Sequence, residues 1–255
     1  TLSDKISKYF TELKFDQNIT IAQLLSHTSG IYNYTNDVDF MKTEAVKPAN
    51  QQKIFALFKN KKLDFEPGTQ WSYSNSGYML LGYIIEKVTK KPYEKVVRDY
   101  IFRPLKMNNS GFDFAALKSK DKATGYFSIN GKNSTAAGIV DSSVSYAAGA
   151  IYTTTSDLLK WHKAVLNNTI IKRASTEKAF TPVKNKYGFG WAIDSIYEKR
   201  VTAHGGGIFG FNTNIARIES DDICVVLLNN TGNPKLTDIT KNIFSVLYDK
   251  PYKLP

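Results

Sequence analysis

The sequence predicts an α+β fold, with helices packed on an antiparallel sheet. Three observations carry the prediction. Apolar residues recur at helical spacing through the first two thirds, four strand-like segments follow one another in the last third, and an amphipathic segment closes the chain. The 255 residues are 42% hydrophobic and 13% aromatic, which allows one large domain with a sizeable core and argues against disorder.

Thr20 reads as the N-cap of a helix with Ile21, Leu24 and Leu25 on one face, and Gly30 as its left-handed stop. A short helix over 51–59 turns Ile54, Leu57 and Phe58 inward, and Pro67-Gly68 marks a turn. Segment 76–89 is a strongly apolar helix through Leu80, Leu81, Ile84, Ile85 and Val88. Another helix spans 93–102 and ends before Pro104. Residues 106–147 carry Gly and Asn punctuation and no assignable period. Thr155 or Ser156 caps a helix bearing Leu158, Leu159, His162, Val165 and Leu166. Strands follow at 187–194, 200–204, 212–218 and 223–229, with Ser220-Asp221-Asp222 as a hairpin turn. The last strand is apolar throughout and is expected to be central. A helix over 236–248 closes the chain, with Ile239, Ile243, Phe244 and Leu247 in register. The expected organisation is a single domain over 1–255, with a helical lobe at about 20–180 and a sheet with its closing helix at about 185–250.

The bulk numbers exclude several classes. The net charge of +11 is carried mainly by scattered lysines, and no basic helix or reader motif for nucleic acid is present. The longest apolar run, 79–85, is too short to cross a bilayer. Cys224 is the one cysteine and lies in an apolar run, so it reads as a buried strand residue. His27, His162 and His204 lack the spacing of metal ligands, and no metal or organic cofactor is expected. His27 reads as a structural residue ending a helix, and His162 as a structural residue on a helix.

Two motifs carry chemistry. Tyr73-Ser74-Asn75 precedes an apolar helix, and His204-Gly205-Gly206-Gly207 follows a predicted strand. A tyrosine ionises only near pH ~10 in water, so it must sit beside cations to act as a base. Glycines let the backbone approach a ligand closely.

In order along the chain, Leu24-Leu25-Ser26-His27-Thr28-Ser29-Gly30, then Glu66-Pro67-Gly68-Thr69 with Tyr73-Ser74-Asn75-Ser76-Gly77-Tyr78, then Arg103-Pro104-Leu105-Lys106-Met107, then Ala148-Gly149-Ala150-Ile151-Tyr152-Thr153-Thr154, then the His204 glycines, resemble the signatures of the penicillin-binding protein and class C β-lactamase family. The resemblance covers essentially the whole chain and implies a β-lactamase/transpeptidase-like fold. It implies that Tyr73 moves protons, that Asn75 hydrogen-bonds the substrate amide, and that the Gly207 N–H forms half of an oxyanion hole. Gly205 and Gly206 would line the substrate site. His204 matches the lysine of the family's Lys-Thr-Gly, which holds a substrate carboxylate.

The family's nucleophile lies in Ser-x-x-Lys, upstream of the segment similar to Leu2-Ser3-Asp4-Lys5-Ile6. The serine and lysine are therefore not expected in this chain, which reads as N-terminally truncated. Ser119-Lys120-Asp121-Lys122 and Ser175-Thr176-Glu177-Lys178 have the spacing but stand in the wrong order and open no apolar helix. The implied function is a serine acyl hydrolase of β-lactamase, D-amino-acid peptidase or esterase type. Its substrate would be a small molecule or peptidoglycan-like, and its location extracytoplasmic, in the periplasm or at the cell surface. The absent segment is expected as a fragment, a swapped element or a lost N-terminus that could anchor the protein to a membrane. The alternative is a catalytically inactive recognition module that keeps the cleft.

Overall fold

The computed structural model describes residues 1–13, 18–130, 133–232 and 235–253. Helices α1 (Ile21–Leu25), α2 (Val38–Thr43), α3 (Gln51–Ala56), α4 (Asn75–Thr89) and α5 (Tyr93–Val97) come first. The fifth continues into one π turn, Arg98–Phe102. A small hairpin of β1 (Tyr126–Asn130) and β2 (Asn133–Ala136) precedes α6 (Ser142–Gly149), α7 (Thr155–Leu166) and α8 (Arg173–Ala179). Then β3 (Ala192–Ile196), β4 (Lys199–Ile208), β5 (Phe211–Ile218) and β6 (Ile223–Asn229) form an antiparallel meander, closed by α9 (Leu236–Leu247).

Local chemistry explains most boundaries. Thr20 caps α1 through a full capping box with Gln23. The helix stops earlier than expected, because His27, not Gly30, is the first residue with positive φ after it. Thr154, one residue before the expected cap, accepts from the Asp157 N–H to start α7. Asp222, at φ 54°, completes the tight turn between β5 and β6.

The main core gathers α1 to α4 and α6 around Leu24, Ile54, Phe58, Met79, Leu80 and Val144. Each such side chain, fully buried, contributes roughly 1.5–3 kcal/mol. A second cluster joins Val201, Ala216, Ile218 and Val225 of the sheet to Phe244 of α9.

Three strand expectations are corrected. Among the described residues β6 is the outer strand of the sheet, not a central one. Both α9 and α7 pack near it, but only Val225 is buried and Leu228 is exposed, so its apolar run marks a surface suited to burial rather than a central position. β3 begins at Ala192 rather than 187, because Tyr187 sits in a turn held by isolated bridges to Lys184 and Ala192. In addition, β4 does not end at His204. It runs through its glycines to Ile208, paired with β5.

Candidate active site

Two segments far apart in sequence build the floor of the site. Residues 26–30 are buried. They run beside residues 64–72 through three backbone bonds: Asp64 N–H to Gly30 O at 2.8 Å, Gly68 N–H to Thr28 O at 2.7 Å and Ser72 N–H to His27 O at 3.0 Å. Gly30 is required there. Its φ is +73°, and a Cβ would stand 2.2 Å from the Phe65 carbonyl oxygen.

This pairing carries Tyr73-Ser74-Asn75 to the start of α4. The Tyr73 ring lies on the His27 imidazole, centroids 4.0 Å apart. Asn75 is the first residue of α4. Its backbone N–H donates to Asn33 Oδ1 at 3.0 Å and its Nδ2 to Thr35 Oγ1 at 3.1 Å, which fixes the side-chain amide.

The sheet supplies the opposite wall. β3 pairs with β4 only from Lys199 to Ala203, so residues 204–208 pair on one side alone, with β5. The His204 ring stands 6.2 Å from that of Tyr73. Its Nε2 shares a hydrogen bond of 2.9 Å with the Tyr187 hydroxyl. Burial lowers the His204 pKa from its ordinary value, so the imidazole is neutral near pH 7. Burial likewise raises the Tyr73 phenol. The cation expected beside Tyr73 is not found among the described residues.

Tyr73, Asn75, His204, Gly205, Gly206 and Gly207 all line one cleft of about 1620 Å³. Besides the neutral His204, the acidic and basic side chains lining it are Asp121 and Lys122. The Lys122 ammonium is spent on the Ala115 carbonyl at 3.0 Å and lies 4.8 Å from the centre of the Phe114 ring. It makes no bond to Ser119, whose hydroxyl accepts from the Asp121 N–H. Ser175 lies on the short helix α8 and does not line this cleft. No cluster of three His, Cys, Asp or Glu side chains among the described residues could hold a metal ion.

Three residues of the site were not singled out from sequence. Tyr187 reaches His204 from a turn. Tyr78 donates to the Leu25 carbonyl at 2.9 Å. Asn33 anchors Asn75. Their neighbours are distant in sequence, so no local pattern marks Tyr187 or Asn33, and Tyr78 is marked only as the last residue of its signature. Four buried polar atoms lack partners among the described residues: His27 Nε2, Trp71 Nε1, Ser74 Oγ and Tyr146 Oη. The first three sit in or beside the Tyr73 segment.

A Tyr-x-Asn turn at a helix start, facing a glycine strand across a cleft, defines with this fold a β-lactamase/transpeptidase-type protein. The chain belongs to the Beta-lactamase family, whose model matches residues 1–248. It is 30% identical over 274 residues to Penicillin-binding protein 4* of Bacillus subtilis, covering 99% of this chain and 60% of that protein. The chain thus spans 60% or less of the length of the curated relatives it matches. Among solved structures it is similar to a D-stereospecific amidohydrolase from Streptomyces sp., with TM-score 0.81, 25% identity, 91% of this chain and 75% of that one covered. It is also similar to the octameric penicillin-binding protein homologue from Pyrococcus abyssi, with TM-score 0.82, 25% identity and coverage of 98% and 60%.

Proposed function

We propose that this chain forms the substrate cleft of a serine acyl hydrolase whose nucleophilic serine and its lysine come from residues outside the chain. The observation that carries the reading is the convergence of Tyr73, Asn75, His204 and the half-paired Gly205-Gly206-Gly207 strand on one cleft. Acyl transfer needs a nucleophile, a proton shuttle and donors aimed at the developing oxyanion. Backbone groups of β4 beyond Ala203 have no β3 partner, so the Gly207 N–H is available as an oxyanion donor. Tyr73 passes a proton between nucleophile and leaving group. Its raised pKa keeps it protonated until a cation lies beside it, which is the part the absent lysine would play.

The cleft favours an uncharged substrate. His204 is neutral and engaged by Tyr187, so the position that holds a carboxylate in the Lys-Thr-Gly pattern offers no fixed positive charge. Aromatic side chains, among them Phe114, Tyr152 and Phe211, also line the cleft. An amide or ester of a D-amino-acid type, without a carboxylate next to the scissile bond, fits this wall better than a peptide with a free C-terminus. The extracytoplasmic location expected from sequence accords with wall-related substrates. No helix among the described residues is long and apolar enough to cross a membrane.

The test is intact-mass measurement of the protein as its gene encodes it, before and after an uncharged serine-directed fluorophosphonate probe, with an uncharged p-nitrophenyl ester as substrate. A one-probe adduct on a serine outside residues 1–255, with ester turnover, supports the hydrolase. Ligand binding with neither adduct nor turnover would instead favour the inactive recognition module.

A further inference from the structure

His27 touches the Tyr73 segment at three points. Its backbone carbonyl accepts the Ser72 N–H at 3.0 Å. Its Nδ1 accepts the Ser74 N–H at 3.1 Å. Its ring carries the Tyr73 ring at 4.0 Å between centroids, with planes 34° apart. The residues on either side of Tyr73 are thus bonded to His27, and the phenol between them rests on it. His27 is 1% exposed, and its φ of 57° is uncommon for a residue with a Cβ, although histidine, like asparagine and aspartate, adopts it more often than most. Such a conformation persists only where the surroundings hold it. Tyr78 and Tyr187 enclose the imidazole, with centroids 5.1 and 5.0 Å away, and Trp71 stands edge-on at 6.3 Å.

We infer that His27 is the positioning residue of the site: a neutral imidazole that clamps Ser72, Tyr73 and Ser74 so that the phenol faces the glycine strand. The catalytic consequence rests on the acyl-hydrolase reading, whereas the clamp does not. The ring must stay neutral for this, because Nδ1 can accept only while unprotonated. Burial, reinforced by the nearby His204, drops the His27 pKa to about 3, so the acceptor persists across the working pH range. The titratable groups around it are Tyr73, Tyr78, Tyr187 and His204, none of which is anionic near pH 7. A histidine that merely filled the core would be replaceable by any side chain of similar volume. A clamp requires an acceptor at the Nδ1 position.

His27→Phe and His27→Asn separate the two roles in the full-length protein. Phenylalanine keeps a ring under Tyr73 but offers no acceptor. Asparagine tolerates positive φ and offers Oδ1 to the Ser74 N–H. The readouts are hydrogen exchange of the Ser74 amide and the ¹³Cζ shift of Tyr73 by NMR, with kcat and KM for an uncharged ester. H27F should speed Ser74 exchange about tenfold or more, move the Tyr73 signal and lower kcat at least tenfold with little change in KM. H27N should restore Ser74 protection and recover part of kcat. If H27F fails to fold, H27N alone decides: native-like Ser74 exchange supports the clamp, and exchange as fast as in an unbonded loop overturns it. Unchanged Ser74 exchange and Tyr73 shift in a folded H27F would also overturn it. A protein with no acyl-hydrolase activity whose Ser74 exchange still responds would refute the enzyme reading and leave the clamp standing.

Discussion

Arg217 donates from Nε to Nδ1 of His162 at 2.9 Å, and both side chains are fully buried. A guanidinium cannot accept, so Nδ1 is the bare nitrogen, and the Nε2–H donates to Asp222 at 3.0 Å. Arg217 also donates to Glu219 at 2.9 Å and lies 5.5 Å from the centres of the Phe180 and Trp191 rings. One buried cation thus joins α7, the face of the sheet opposite α9, and the turn between β5 and β6.

Removing the centre of this network should cost far more than removing its rim. Arg217→Ala should lower stability by about 3–5 kcal/mol, because the partners of a buried charge are left unpaired. Asp222→Asn keeps the turn and a hydrogen-bond acceptor at a half-exposed position, so its loss should stay under about 1 kcal/mol. Urea unfolding of both variants decides, and equal losses would contradict the network.

Acid should destabilise the fold in a window set by its histidines. His27, His162 and His204 all have pKa values lowered by burial. The unfolded chain then binds protons that the folded one refuses, so stability is complete above about pH 6.5 and falls as pH drops below it. For His27 the loss continues toward about pH 3. Glu44 and Asp221, each lowered to about 2 by hydrogen bonds to their neighbours, add loss only below the ordinary carboxylate range. Melting temperature measured from pH 7.5 to 5 should fall in the wild type and fall less steeply in His27→Asn.

The glycines of β4 should divide by role. A Cβ on Gly207 would meet nothing nearer than Asn212 Oδ1 at 3.7 Å, so the fold does not demand glycine there. Gly207→Ala should leave stability unchanged or raise it by up to about 1 kcal/mol and should keep ester hydrolysis, because alanine retains the backbone N–H. A Cβ on Gly206 would stand 2.5 Å from Thr213 Oγ1. Gly206→Ala should therefore destabilise, by about 1–2 kcal/mol on the scale of overpacked sites. Calorimetry with kinetics on both variants separates the two.

Substrate charge should follow position 204. His204→Lys, combined with Tyr187→Phe to make room, should raise kcat/KM for a carboxylate-bearing substrate relative to its uncharged amide by roughly tenfold. An unaltered ratio would mean that position 204 does not set the preference.

The sequence by itself determined the elements and the cast. The period of Leu80, Leu81 and Ile84 specified α4, Thr20 specified the start of α1, and Ile239 with Phe244 specified α9. The ordered signatures named Tyr73, Asn75, His204 and Gly207. These are local or linear signals, carried by backbone propensity and side-chain spacing. Tertiary structure alone decided the rest. Apolarity reports a surface suited to burial, not the neighbour beside it, so β6 looked central although it is the outer strand among the described residues. A strand's length depends on its partner, so β4 runs on through its glycines because β5 pairs with them. His27 read as a plain structural histidine because its function lies in contacts with Ser72, Tyr73 and Ser74, more than forty positions away, which exist only once the two segments pair. Tyr187 reached His204 for the same reason: the meander brings a turn over a strand, and no spacing in the chain records it.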